Sequence, residues 1–194
     1  MSHVYTDECC CVDCVYIRQE QEKARGVLQR EGQLEIERRW LLEWDRILPN
    51  LDELPKDYIA QGYITPANRS ELNLPNATFR VRKRGDAYFF TRKFGVGILV
   101  RSEAEVQLTE EQFSLMWGMV GQQYVQKNRY YLKHNLKTIE MDFFEGKLDG
   151  LIIAEIEFDS KEEAEEFKAP DWFGKEITED ARYTNYSLAL NGRP

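Results

Sequence analysis

From residue 34 onward, apolar and polar positions alternate with period two over much of the chain. Phe79-Arg80-Val81-Arg82, Ile139-Glu140-Met141-Asp142-Phe143 and Ile152 to Phe158 are clear runs. Successive side chains on a strand point to opposite faces, so such runs predict strands with one apolar and one charged face. Strands are expected at Leu34–Leu42, Gln61–Thr65, Phe79–Arg84, Tyr88–Phe94, Leu99–Leu108, Gln123–Leu132, Lys137–Phe144 and Leu151–Phe158. Gly85-Asp86, Gly95-Val96-Gly97 and His134-Asn135 supply turns between neighbours. Pro49–Tyr58 reads as a short helical or turn segment, and Pro66–Pro75 as a loop. Thr109-Glu110-Glu111-Gln112 and Ser160-Lys161-Glu162-Glu163 have capping-box spacing and open helices. Thr178 is expected to cap a last helix that Gly192 stops. The pattern predicts an α+β fold, mainly antiparallel β: an eight-stranded barrel with covering helices.

The charged faces carry the chemistry. Glu35, Glu37 and Arg39 share one face of the first strand. Leu34, Ile36 and Trp40 share the other with Arg38, which is expected to tolerate substitution. Arg80, Arg82 and Arg84 align, as do Lys127 and Arg129, Glu140 and Asp142, and Glu155 and Glu157. Arg101, Glu103 and Glu105 align on a mixed strand. One reading is a sheet with a solvated side. The other places these faces inside a barrel, because whole strands carry a single sign. A lumen with both signs suits a polyphosphate with a divalent cation: carboxylates take hard cations, and arginines and lysines take phosphate oxygens.

The net charge of −8 argues against a nucleic-acid binder. No run approaches a membrane span, and the N-terminus has no signal-peptide pattern, so a cytoplasmic protein is expected. Cys9, Cys10, Cys11 and Cys14 lie together near the start, leaving none to staple the domain. Cys11-x-x-Cys14, with His3 nearby, has metal-ligand spacing but no second pair downstream. The chain divides into a partly helical, Cys-containing extension over 1–32 and a domain over 33–194.

Several stretches in fixed order resemble the CYTH, or triphosphate tunnel metalloenzyme, family. They are Glu35-Ile36-Glu37, Gln61-Gly62-Tyr63, Phe79-Arg80-Val81-Arg82, Phe90-Thr91-Arg92-Lys93, Lys127-Asn128-Arg129-Tyr130, Glu140-Met141-Asp142 and Glu155-Ile156-Glu157-Phe158. The tail around Trp172-Phe173-Gly174 and Thr178-Glu179-Asp180 is similar to short bacterial inorganic triphosphatases. The resemblance implies a closed eight-stranded tunnel with a charged lumen, Mg²⁺ or Mn²⁺, and hydrolysis of the terminal phosphoryl group of a triphosphate, first of all inorganic tripolyphosphate. It implies Glu35, Glu37 and Glu157 as metal ligands, with Glu155 and Asp142 near a second ion. It implies Arg39, Arg80, Arg82, Lys93, Lys127 and Arg129 as phosphate ligands, and Glu35, Glu37, Arg39, Tyr63 and Lys93 as catalytic positions. Arg39 stands where the family signature has lysine. An arginine keeps its proton near neutrality, so it supplies charge but no proton shuttle with Tyr63. Two other functions fit the same tunnel: an adenylate cyclase of the family, and a tunnel that binds polyphosphate or nucleotide without turnover.

Overall fold

The computed structural model describes residues 36–43, 45, 50–65, 78–94 and 102–194. The expected N-terminal extension, its cysteines, Glu35, the loop at 66–75 and the turn at 95–97 lie outside these residues, as does the side chain of Lys93.

Eight strands form one antiparallel sheet: β1 (Ile36–Leu41), β2 (Lys56–Ile64), β3 (Thr78–Arg84), β4 (Ala87–Phe94), β5 (Ser102–Leu108), β6 (Tyr124–His134), β7 (Lys137–Phe144) and β8 (Ile152–Phe158). Their order is β1-β8-β7-β6-β2-β3-β4-β5. Two local meanders, β2 to β5 and β6 to β8, join where β2 pairs β6. Gly85 turns β3 into β4 with φ of 54°, and Asn135 turns β6 into β7 with the same φ. Positive φ is easy for glycine and accessible to asparagine. The predicted strands recur with shifted ends. The largest change is β2, which begins at Lys56 inside the stretch expected to be helical; only Leu51–Glu53 there forms a 3-10 turn.

The apolar faces turn outward, under the helices. Helix α1 (Glu110–Trp117) has the expected capping box at Thr109 and Gln112. Its Phe113, with the following Val120, covers Val81 on the back of β3. Helix α2 (Lys161–Glu166) starts at Ser160, whose hydroxyl accepts from the Glu163 amide. It covers Trp40, Ile139, Met141, Ala154 and Ile156 together with Phe167 and Phe173. Each large aliphatic or aromatic side chain among them, where fully buried, contributes about 1.5–3 kcal/mol.

Arg38 lies on this outer face but is no bystander. Its Nε and NH2 grip Glu176 at 2.8 and 2.7 Å, and its NH1 donates to the carbonyls of Ala164 and Phe167 at 2.7 and 3.0 Å. The guanidinium stacks 4.9 Å from the Trp40 ring centre. Arg38 thus lies on the outer face as expected, and there it fastens α2 to β1.

Among the described residues the ladders do not close into a ring. The order begins at β1 and ends at β5, with no pairing between them among the described residues. The free side of β1 is taken instead by the C-terminal segment. Leu41 donates to Lys175 at 2.9 Å, Gly174 to Leu41 at 2.9 Å and Ile177 to Arg39 at 2.8 Å, all backbone to backbone. Gly174 permits this approach, because a Cβ there would sit 2.7 Å from the Leu41 carbonyl oxygen. Thr178 does not cap the last helix as predicted. Its hydroxyl accepts from the Arg39 amide at 3.0 Å. Asp180 caps a 3-10 turn at Ala181–Tyr183, and Thr184 caps helix α3 (Asn185–Asn191).

Candidate active site

Residues directly opposite in a ladder share a face. The register therefore identifies the inner face of the sheet row by row. Arg39, Glu155, Glu140 and Tyr131 form one row across β1, β8, β7 and β6. Glu37 stands opposite Glu157 beside it. Tyr63, Arg80, Thr91 and Glu105 form another row across β2 to β5. Gln61 and Arg82 follow. Asp142 opposes Arg129, and Lys127 is the next inward position on β6. The face on which sequence alternation grouped these residues strand by strand is thus one continuous surface. Lys93 pairs with Thr78 and Glu103 in register.

The inner face is charged over one part only. Leu41, Ile153, Phe144, Val125 and Tyr63 share its other part with Ile177, Leu188 and Ala189 from the C-terminal segment. Lys147 fastens α3 by donating to the Ala189 carbonyl at 2.7 Å and to the Gln122 carbonyl at 3.0 Å. The expected charged lumen is a charged basin backed by an apolar plug. The sheet curls strongly to do this, since Tyr63 of β2 meets the same cluster as Ile153 of β8 although β6 and β7 lie between them.

In the β6–β8 wall, acids and bases are interleaved. Asp142 is fully buried. Arg129 donates to it through Nε and NH2, both at 2.6 Å, and Lys127 donates to its Oδ2. Arg129 also reaches Glu155 at 2.5 Å and bonds Glu140. Lys127 has a second partner in Asn185 Oδ1 at 3.3 Å. Burial opposes the Asp142 carboxylate, but the charges of Lys127 and Arg129 outweigh it and hold its pKa below the usual range. Burial pushes the Lys127 ammonium down despite Asp142. Burial also pushes Glu140 up, against Arg129 and with the help of Glu155 and Asp142. These are the shifts expected when desolvation and charge compete in one cluster.

In the β3–β5 wall the balance differs. Glu105 accepts from Thr91 at 2.7 Å, from Arg82 at 3.0 Å and from Arg80 at 3.4 Å. Two guanidiniums and a hydroxyl thus converge on one carboxylate, a geometry that also suits a phosphate group. Glu105 and Thr91 were not singled out from sequence as site residues. The available signal was the alternation that placed Glu105 on the charged face of its strand.

Tyr63 is buried, and its hydroxyl accepts from Gln61 Nε2 at 2.6 Å. Burial raises its pKa far above the ordinary tyrosine value, and Arg80 offsets this only in part. It does not ionise near neutrality. Arg39 is buried as well. Its NH2 donates to the Thr178 carbonyl at 3.1 Å and its NH1 to the Tyr183 carbonyl at 3.3 Å.

Glu37, Glu140, Glu155 and Glu157 put carboxylates from three adjacent strands on one face. Oxygen-only donors of this kind fit a hard divalent cation. Among the described residues, no three such groups converge closely enough to hold a metal ion as they stand.

No family model matches the chain. An inorganic triphosphatase of Nitrosomonas europaea is 39% identical over 159 residues, covering 81% of this chain and 97% of that protein. One from Acetivibrio thermocellus is 35% identical over 113 residues, covering 58% of this chain and 71% of that protein. A solved inorganic triphosphatase structure superposes with a TM-score of 0.63 at 35% identity, covering 82% of this chain and 97% of that one. A candidate adenylate cyclase from Bacillus halodurans, at 13% identity and a TM-score of 0.51, shares the fold alone, covering 69% of this chain and 84% of that one. With the Nitrosomonas europaea relative matched over nearly its whole length, the chain belongs to the inorganic triphosphatase family.

Proposed function

We propose that this protein hydrolyses the terminal phosphoryl group of a small triphosphate, inorganic tripolyphosphate first, and that it does so with a divalent cation. The observation that carries this reading is the pair of opposed rows on one inner face. Carboxylates occupy β1, β8 and β7, and guanidiniums occupy β3.

Phosphoryl transfer asks a protein mainly for positioning and charge neutralisation. Arg80 and Arg82 would take phosphate oxygens by exchanging Glu105 for substrate, with Lys93 on the adjacent strand adding charge. Lys127 and Arg129 would supply fixed positive charge from the opposite wall, held in place by Asp142. Glu35, Glu37 and Glu157 would hold Mg²⁺ or Mn²⁺, with Glu155 and Asp142 near a second ion. The cation, when bound, supplies Lewis-acid neutralisation of phosphate oxygens. Tyr63 would serve as a neutral hydroxyl, orienting rather than accepting protons. Closure of the barrel would come from the C-terminal segment rather than from a β1–β5 ladder. The domain would begin near residue 33, with 1–32 a dispensable extension.

The test is product analysis with tripolyphosphate and with ATP, each with Mg²⁺ and with Mn²⁺. Orthophosphate and pyrophosphate from tripolyphosphate are expected. Cyclic AMP and pyrophosphate from ATP would instead make the chain a cyclase. Protection from thermal unfolding by tripolyphosphate without turnover would make it a binding tunnel.

A further inference from the structure

Arg39 stands on the inner face, in the row with Glu155 and Glu140, where a phosphate ligand or a proton carrier would be expected. Its contacts lead elsewhere. The main chain of Arg39 is bonded on both sides to the C-terminal segment: its amide donates to the Thr178 hydroxyl at 3.0 Å, and its carbonyl accepts from Ile177 at 2.8 Å. Its guanidinium spans two carbonyls of the same segment, Thr178 at 3.1 Å and Tyr183 at 3.3 Å. Tyr183 ends the 3-10 turn Ala181–Tyr183. Carbonyls at such ends lack partners inside the turn and take them from outside.

One donor remains. The Arg39 Nε is buried and has no hydrogen-bond acceptor. Its near neighbour is Glu37 Oε1, at 3.6 Å. The side chain thus sets a fixed positive charge beside Glu37 while both terminal nitrogens stay on backbone carbonyls. A planar fork can meet two acceptors in fixed directions at once, whereas a lysine presents a single nitrogen at the end of a flexible stem.

The geometry points to Arg39 as a positioning residue. It moors the acidic stretch of β1 to the segment Ile177–Tyr183 and so fixes where Glu37 stands, without contacting phosphate or moving a proton. Arginine at this position follows from the two carbonyls it must satisfy. This deepens the triphosphatase reading and rests on it for its kinetic readout, while the mooring itself can be read without any turnover.

The experiment compares the natural protein with Arg39→Lys, Arg39→Met and Thr178→Val. Tripolyphosphate hydrolysis is followed against pH at saturating Mg²⁺, and amide hydrogen exchange is followed over residues 177–184. Arg39→Lys is expected to lower kcat by about tenfold or more with KM changed by less than about twofold, since a misplaced Glu37 would act on the reacting state rather than on binding. Its pH profile should keep the natural shape. Exchange over 177–184 should speed up in both Arg39 variants. Thr178→Val keeps the guanidinium and should shift both readouts in the same direction by less.

Natural kcat in Arg39→Lys would show that charge alone suffices at position 39, and a new alkaline limb in its profile would make it a proton carrier; either result overturns the proposal. A KM raised by more than about tenfold in Arg39→Met at unchanged kcat would make it a phosphate ligand and overturn it equally. Unchanged exchange in both variants would remove the mooring. If the natural protein turns over no triphosphate with either metal, the triphosphatase reading fails, and the exchange measurement still decides the role of Arg39.

Discussion

The two walls of the basin use similar residues to different ends. On β6 to β8, Lys127 and Arg129 are met by Asp142, Glu140 and Glu155, with Lys127 and Asp142 buried and the other three half-buried. On β3 to β5, Arg80 and Arg82 share Glu105, which is partly open to solvent. Acids outnumber bases on the first wall, and bases outnumber acids on the second. The first wall is a finished network, in which removing a member leaves a charge stranded. The second has a carboxylate in a seat that an incoming anion could take. The contrast teaches that one charged face can hold two kinds of network, a closed one on β6 to β8 and an open one with a single shared carboxylate on β3 to β5.

Breaking the first wall should give the largest effect. Asp142→Ala leaves Lys127 and Arg129 without their shared partner and is expected to cost about 3–5 kcal/mol of stability, measured by urea unfolding. A loss below that of an ordinary surface substitution would show that the walls do not differ. Asp142 also gives a pH signature. Its folded pKa is lowered, so its contribution to stability is complete above the ordinary carboxylate value and fades as pH falls through the lower folded value. Asp142→Asn should therefore flatten the acid limb of a stability–pH curve. Glu140, whose pKa burial raises, has the opposite sign: its contribution declines as pH rises from the ordinary value through the raised one.

The second wall should answer in rate. Arg82→Gln is expected to lower kcat/KM for tripolyphosphate by about 10²-fold, the usual scale for a donor aimed at developing charge. Its unfolding midpoint should stay close to the natural one. A midpoint shift as large as that of Asp142→Ala, with kinetics intact, would place Arg82 in the scaffold.

Arg38→Ala comes next, on the outer face. It removes the Glu176 clamp and two carbonyl contacts and is expected to cost about 1–3 kcal/mol with turnover within a few-fold of natural. Removal of residues 1–30 should have the smallest effect. Activity and melting temperature are expected to stay near those of the full chain, and a folded but inactive product would extend the site into that segment.

Alternation read most of the sheet correctly because each run carries its own evidence: apolar residues at every second position, with a turn residue at the end. Strand β2 escaped at Lys56–Tyr58 because that stretch is polar apart from Tyr58, and the partners that draw it into the sheet, Asn128 to Tyr130 on β6, are distant in sequence. Thr178 misled for a related reason. A threonine before acidic residues has the chemistry of a helix cap, but here the unpaired amide of Arg39 takes its hydroxyl. Ring closure was not legible at all. Alternation tells which face a residue occupies and says nothing about which edges meet. The grouping of charged residues on one face was legible strand by strand. The Lys127–Asp142–Arg129 cluster, and the apolar plug that shares the face, depend on the curl of the sheet and on helix α3.

The stitching of β1 has a consequence for the order in which the molecule can be made. Ile36 lies opposite Phe158, and the other edge of β1 is taken by 174–178. The strands β2 to β5 can begin pairing with near neighbours as soon as they emerge, but β1 meets its partners only once residues 153–178 have been made. At a synthesis rate of about 5–20 residues per second, β1 waits on the order of ten seconds. During that time its apolar face, with Trp40, has no helix to cover it. A stall late in translation would leave a half-built sheet with an unsatisfied leading strand. Nascent chains halted before residue 150 should therefore be cut by protease near residue 40, and chains released past residue 178 should resist.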